Sequence, residues 1–119
     1  MVAMNKILFV DDEEGIQLLY REELEGDGYE VHSALTGKDA LQKLKTVSPD
    51  LVILDINMPG MNGIEILREI KAIKPNIPVV LFSAYHEYKQ DIGAWVSDDY
   101  IVKSVDFDEL KAAVRQYLA

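Results

Sequence analysis

Four apolar runs in this chain each stop on a polar residue that could do chemistry. Ile7–Val10 runs into Asp11 and Asp12, Leu51–Leu54 into Asp55, Pro78–Phe82 into Ser83, and Tyr100–Val102 into Lys103. An uninterrupted apolar run of this length reads as a strand covered on both faces. Each polar residue therefore sits at a strand's carboxyl end, which is where an open α/β sheet receives its ligands. Taken singly, each has a plainer explanation. An acid after a strand often caps a helix, a serine often makes a turn, and a lysine is usually a solvated charge. Together at one end of one sheet they are hard to explain as caps.

Three carboxylates sharing a crevice repel. Two unit charges about 5 Å apart cost ~3 kcal/mol at an effective dielectric of 20. A bound proton or a bound cation relieves that. Hard oxygen donors with open positions suit Mg²⁺ or Mn²⁺, and Mg²⁺ commonly takes one or two carboxylates together with a phosphate. The set therefore reads as a metal-assisted phosphoryl site. Asp55 is the nucleophile, Lys103 and the metal neutralise charge on the phosphoryl oxygens, and the Ser83 hydroxyl donates to one of them.

The elements that must carry these residues alternate. From Glu13 the spacing is helical, with Ile16, Leu19, Tyr20 and Leu24 on one face, Leu18 pointing away, and a stop near Gly26 or Gly28. Tyr29–Ala34 alternates as a shorter strand. Thr36-Gly-Lys-Asp39 reads as an N-cap before Ala40, Leu41, Leu44 and Val47, and Ser48-Pro49-Asp50 breaks that helix. Ile64, Leu67, Ile70 and Ile73 mark a third helix ended by Pro75. Tyr88, Ile92, Trp95 and Val96 mark a fourth, weakened by Gly93, and Asp106 caps a last helix through Leu110, Val114, Tyr117 and Leu118. Five β and five α segments at about 20 to 25 residues per unit predict a parallel sheet with helices on both faces.

The bulk numbers exclude several classes. The 119 residues are read as a single domain, 1–119, with no output domain, and the size suffices for one core. The net charge of −9 speaks against direct nucleic-acid binding. The absence of cysteine excludes disulfides and thiolate metal sites. No apolar run approaches membrane-spanning length, so neither a membrane partner nor an export signal is expected, and the default location is cytoplasmic. His32 and His86 lack metal-ligand spacing.

Asp11-Asp12, then Asp55-Ile-Asn-Met-Pro-Gly-Met-Asn-Gly63, then Ser83-Ala84, then Asp99-Tyr-Ile-Val-Lys103 closely resemble the receiver domain of bacterial two-component response regulators. The resemblance runs over nearly the whole chain in order and spacing. It implies a three-layer, doubly wound (βα)5 fold of the flavodoxin-like kind, with five parallel strands in the order 2-1-3-4-5. It also implies that Asp55 accepts phosphate from a phosphohistidine on a histidine kinase or a histidine phosphotransfer domain. Asp12 and Asp55 would hold Mg²⁺ by side chain, Asp11 through a metal water, and Asn57 through its backbone carbonyl. Ser83 takes the switch position, Ala84 leaves the acyl phosphate accessible, Tyr100 is the aromatic that moves with Ser83, and Lys103 pairs with the phosphoryl oxygens. One position departs from the family. Proline usually follows the lysine, often with a cis bond, whereas Ser104 stands here. A cis bond before a non-proline residue costs ~2.5–4 kcal/mol, so a trans bond is expected.

Phosphorylation adds about −1.5 to −2 charge and shifts an equilibrium only through contacts that one state lacks. Ser83 and Lys103 would supply them, and Tyr100 would relay them to the surface of the fourth helix, fifth strand and fifth helix, near Tyr85, Tyr88 and Trp95. Such a surface signals to a downstream effector that the sequence does not identify, as a monomer or a phosphorylation-dependent dimer. Leu18, exposed beside the acidic crevice, reads as a docking contact for the kinase or phosphotransfer helix. The resemblance implies a signalling phosphoacceptor and not an enzyme on external substrates. The alternative is a degenerate receiver that acts as an interaction module without phosphorylation. A haloacid-dehalogenase-type phosphohydrolase would need an Asp-x-Asp pair after the first strand. A flavodoxin-like cofactor binder would need a Ser/Thr/Gly-rich loop where four acids stand.

Overall fold

The computed structural model describes residues 5–55, 63–83, 99–102 and 107–118, with 83 and 99–102 as backbone. The described elements run β1 (Lys6–Val10), α1 (Glu14–Gly26), β2 (Glu30–Ala34), α2 (Gly37–Val47), β3 (Leu51–Asp55), α3 (Gly63–Ile73), β4 (Val79–Ser83), β5 (Asp99–Val102) and α4 (Asp108–Leu118). The expected helix around Tyr88 to Val96 lies outside the described residues, as does the cap at Asp106, so α4 is the fifth helix of the sequence reading.

All the pairings are parallel and the strand order is β2-β1-β3-β4-β5. Each strand of the sheet's centre buries both faces, which is why the runs in β1 and β3 are apolar without alternation. Leu8, Val10, Val52, Leu54, Val79 and Leu81 pack under α2 and α3 through Ala40, Leu44, Ile66, Leu67 and Ile70. The alternate residues Ile7, Phe9, Leu51, Ile53, Val80 and Phe82 pack under α1 and α4 through Tyr20, Leu24, Leu110, Ala113 and Val114. Three layers result, as expected. Aromatic rings bind the second face together: Tyr20 meets Phe82 edge-on at 5.0 Å and Phe107 at 4.9 Å between centroids.

Local signals account for most element ends. Thr36 Oγ1 accepts the Asp39 N–H at 3.1 Å and starts α2. Ser48, at φ 53°, closes it in the left-handed conformation. α1 closes with Gly28 N–H donating to Glu25 O at 3.0 Å, and Gly28 takes φ 97°, which glycine adopts without Cβ strain. Lys6 and Asp50 exchange hydrogen bonds, Lys6 N to Asp50 Oδ2 at 2.8 Å and Asp50 N to Lys6 O at 2.7 Å. That exchange aligns the starts of β1 and β3.

Several expectations are corrected. α1 starts at Glu14, one residue later than expected. Its buried face is Gln17, Tyr20 and Leu24, and Leu19 is 48% exposed. In α3 the buried face is Gly63, Ile66, Leu67 and Ile70, with Ile73 41% exposed beyond it. The reason is rotational in both cases. The apolar stripe read from sequence is wider than the strip of helix that touches the sheet, so an apolar residue at its margin stays in water. β5 also begins at Asp99, one residue before the expected start.

Candidate functional site

β1 and β3 are neighbours at the centre of the sheet, with Val10 facing Leu54 across the ladder. Their carboxyl ends therefore stand side by side, and the next residues outward are Asp11 on one strand and Asp55 on the other. Chain direction reverses the sheet's winding between β1 and β3, since β2 lies on one side of β1 and β4 on the other side of β3. This is the switch point where the helices part and leave a crevice.

Asp11 is fully buried, Asp55 is 3% exposed and Asp12 is half-buried. Carboxylate oxygens of all three lie within 4.8 Å of one another. Asp11 is fixed in place by its backbone and by its carboxylate. Its N–H donates to Ala34 O at 3.1 Å, and its Oδ1 accepts the Glu13 N–H at 3.0 Å. Glu13 supplies no side-chain cap to α1, so the Asp11 carboxylate organises the helix entry as well as the cluster.

The neighbouring strand continues the set. Asp55 faces Phe82 in the β3–β4 register, which puts Ser83 one step further out at the same end of the sheet. Ser83 in turn faces Val102 of β5, the residue before Lys103. Tyr100 faces Leu81, deeper along β5. Lys103, Ala84 and Asn57 lie outside the described residues, and so do Tyr85, Tyr88, Trp95 and the Lys103–Ser104 bond. Among the described residues, then, Asp11, Asp12 and Asp55 come together, and the strand register carries Ser83 to the same edge.

The donor set suits a hard divalent cation. It is all oxygen and triply acidic, two of its members are withdrawn from solvent, and among the described residues no imidazole or thiolate belongs to it. Three such charges within 4.8 Å would repel by about 3.5 kcal/mol per pair at a dielectric near 20. A cation with open coordination positions converts that repulsion into binding energy.

Leu18 is 60% exposed, as the sequence predicts, and lines a surface cleft with Arg21, His32 and Leu35 at the β2 edge. None of the three aspartates forms part of this cleft's lining. His32 is engaged with Glu30, Nε2 to Oε2 at 2.7 Å. That bond holds the Glu30 carboxyl below the usual carboxylate range, with the His32 and Lys6 charges acting in the same direction and desolvation opposing. Lys111 bridges α4 to Glu23 of α1 and to Asp27, the residue after it, at 2.9 and 3.6 Å.

One residue at the site had no signal in the sequence reading. Gln17 is 95% buried on α1, and its Nε2 donates toward Phe9 O at 2.9 Å, Asp11 O at 3.0 Å and Ala34 O at 3.0 Å. In sequence a polar residue between Ile16 and Leu18 carries no mark that separates it from the solvent face of a helix. Only the crossing of α1 over the ends of β1 and β2 reveals its partners.

Comparison with known proteins bears on the whole chain. The family model described as the response regulator receiver domain matches residues 7–115. The chain is 41% identical over 118 residues to sporulation initiation phosphotransferase F of Bacillus subtilis, covering 95% of this chain and 93% of that protein. It is 37% identical over 120 residues to the regulatory protein AtoC of Escherichia coli, where it covers 99% of itself but only 26% of the relative. Among solved structures it superposes on the response regulator TrrA of Thermotoga maritima, in complex with Mg²⁺-BeF, with a TM-score of 0.91 and 46% identity. That match covers 97% of this chain and 100% of the other. A structure of the histidine kinase ThkA in complex with TrrA matches with a TM-score of 0.90 and 46% identity, over 98% of this chain and 100% of the matched one.

Proposed function

Since the chain belongs to the response regulator receiver domain family, we propose that Asp55 is its phosphoacceptor and that the acidic cluster around it binds Mg²⁺. The observation that carries this reading is the gathering of Asp11, Asp12 and Asp55 within 4.8 Å at the switch point of the sheet. The donor is a phosphohistidine of a histidine kinase or phosphotransfer domain, and the ThkA–TrrA complex supports the kinase. A carboxylate oxygen of Asp55 attacks phosphorus, the P–N bond breaks, and the imidazole leaves with the electron pair. Asp12 and Asp55, with Asp11 and the Asn57 carbonyl assisting, would hold Mg²⁺, which would supply charge neutralisation for the phosphoryl oxygens. TrrA in complex with Mg²⁺-BeF supports the choice of Mg²⁺.

The remaining roles are those that the receiver family implies for these positions. Ser83, one step beyond Asp55's partner on β4, donates its hydroxyl to a phosphoryl oxygen, and Lys103, following β5, pairs with another. Ala84 leaves room for the acyl phosphate. Tyr100 relays the Ser83 movement to the face of β5 and α4, where an effector reads it. Leu18, exposed on α1, contributes to docking of the donor. The protein turns over no external substrate on this reading; it catalyses its own phosphorylation and dephosphorylation in the cytoplasm.

The test is direct. Incubated with Mg²⁺ and a small acyl-phosphate donor, the protein should gain one base-labile, acid-stable phosphoryl group, and Asp55→Asn should gain none. Absence of the adduct, or its persistence in Asp55→Asn, refutes the assignment.

A further inference from the structure

We propose that Gln17 is a positioning residue for the Mg²⁺ cluster, its amide holding the turn after β1 so that Asp11 and Asp12 face Asp55. The proposal rests on the phosphoacceptor reading and goes beyond it to a residue on α1 that is not part of the acidic set.

The geometry singles this side chain out. Gln17 is 5% exposed, and its Nε2 meets three main-chain carbonyls, Phe9 O at 2.9 Å, Asp11 O at 3.0 Å and Ala34 O at 3.0 Å. The amide has two N–H groups for these three acceptors, so one hydrogen is shared. The three carbonyls come from the carboxyl ends of β1 and β2 and from the residue that begins the acidic cluster. With Asp11 N–H on Ala34 O and Asp11 Oδ1 on Glu13 N–H, the Gln17 bond completes the restraint of Asp11: amide, carbonyl and side chain are each held.

The other end of the amide bears on the argument too. Gln17 Oε1 is buried and has no hydrogen-bond partner among the described residues. An unsatisfied buried acceptor is costly, and a methionine of similar length would avoid that cost. What the position requires is therefore the N–H donors. A hydroxyl offers a single proton and a carboxylate offers none, so among neutral side chains of this reach the primary amide meets the need.

The consequence is for cation affinity. In the metal-free protein the carboxylates repel, and the turn between β1 and α1, which carries Asp11 and Asp12, must resist that repulsion. Holding Asp11 O to α1 keeps the turn closed and the donors convergent before the cation arrives. Substitutions at groups that orient ligands typically weaken metal binding 10- to 100-fold. The low end, about 10-fold, is expected here because the Asp11 N–H and carboxylate bonds remain. Gln17's hydrogen bonds reach β1 and β2 and do not reach β3, so the nucleophile itself should be undisturbed.

The experiment is a calorimetric Mg²⁺ titration of the wild type, Gln17→Met, Gln17→Asn and Leu24→Val, each checked for folding by circular dichroism. Leu24→Val is the control, a loss of packing further along the same helix. The expected result is that Leu24→Val binds as the wild type does and Gln17→Met binds about 10-fold more weakly. Gln17→Asn, whose amide is one methylene short, is also weakened. Acyl-phosphate labelling then requires more Mg²⁺ in the Gln17 variants but reaches the wild-type plateau rate at saturation. Gln17 variants that lose stability yet keep the wild-type Mg²⁺ affinity would overturn the proposal, since the residue would then be structural only. Should Gln17→Met not fold, Gln17→Asn decides by the same criterion. A wild type that binds no Mg²⁺ would overturn the phosphoacceptor reading and this proposal with it.

Discussion

Replacing Asp12 by asparagine should move stability in opposite directions with and without Mg²⁺. Asp12 is the carboxylate to change, because Asp11 also organises the entry to α1 and Asp55 is buried at 3% exposure. In the metal-free protein Asp12 faces two carboxylates within 4.8 Å. Each pair costs about 0.9 kcal/mol at the dielectric of water and about 3.5 kcal/mol at a dielectric of 20. Asp12 is half-exposed, so the watery limit applies and removal of its charge should stabilise the apo protein by about 1–2 kcal/mol. For a domain of this size that is a rise in Tm of about 3–8 °C. With Mg²⁺ at a hundred times its Kd the wild type gains about 2.7 kcal/mol from binding, and the variant, having lost a ligand, should gain almost none. The two proteins should therefore exchange rank between EDTA and excess Mg²⁺ in thermal or urea unfolding. The apo gain should also shrink at high salt, because Asp12 is accessible to counter-ions. Asp12→Asn melting at or below the wild type in EDTA at low salt would refute the repulsion argument. An equal Mg²⁺ response in both proteins would refute the role of Asp12 in the site.

Three further outcomes follow from the fold. Thr36→Ala removes the acceptor for the Asp39 N–H and should cost about 1 kcal/mol by urea unfolding, with Thr36→Ser restoring most of it. Gly28→Ala should cost about 1–2 kcal/mol from backbone alone, since φ is 97° and a Cβ there meets nothing within 4 Å; a calorimetric Tm lowered by less than 2 °C would contradict it. The Glu30 carboxyl is shifted downward from its ordinary 4.5, so its contribution to stability is present above pH 4.5 and is lost as pH falls through the lower folded value. A carbon-detected NMR titration should find the Glu30 midpoint below 4.5 in the wild type and closer to it in His32→Ala.

The sheet and the acidic cluster were legible for one reason. A parallel sheet buried on both faces forces its strands to be apolar throughout, so the first polar residue after each run marks the strand's carboxyl end and the ligand crevice together. Val10 before Asp11 and Leu54 before Asp55 sit opposite each other in the ladder, so reading the run ends amounted to reading the site. Helix faces were less legible. Leu19 and Ile73 carry the right hydrophobicity at nearly the right angle, but neither reaches the sheet. An amphipathic pattern locates the centre of a buried face better than its margin, because leaving one leucine partly in water costs little against the packing of the whole helix.

Gln17 was illegible for a different reason, and it shows where site-building residues hide. Its partners are main-chain carbonyls, so they carry no side-chain signature in Phe9, Asp11 or Ala34. Its burial contradicts the polarity rule by which buried positions are recognised. Such a residue becomes visible only after two questions are put to the structure: which carbonyls at the end of a parallel strand have outrun their ladder partner, and which side chain meets them. At β1 the ladder to β2 ends with the bond from Asp11 N–H to Ala34 O, and the Gln17 amide takes up the carbonyls at that end. The acid that begins the cluster is thus set by a helix that contributes no carboxylate to it. The chemistry of the crevice was written in residues that face it, and its precision depends on one that faces away.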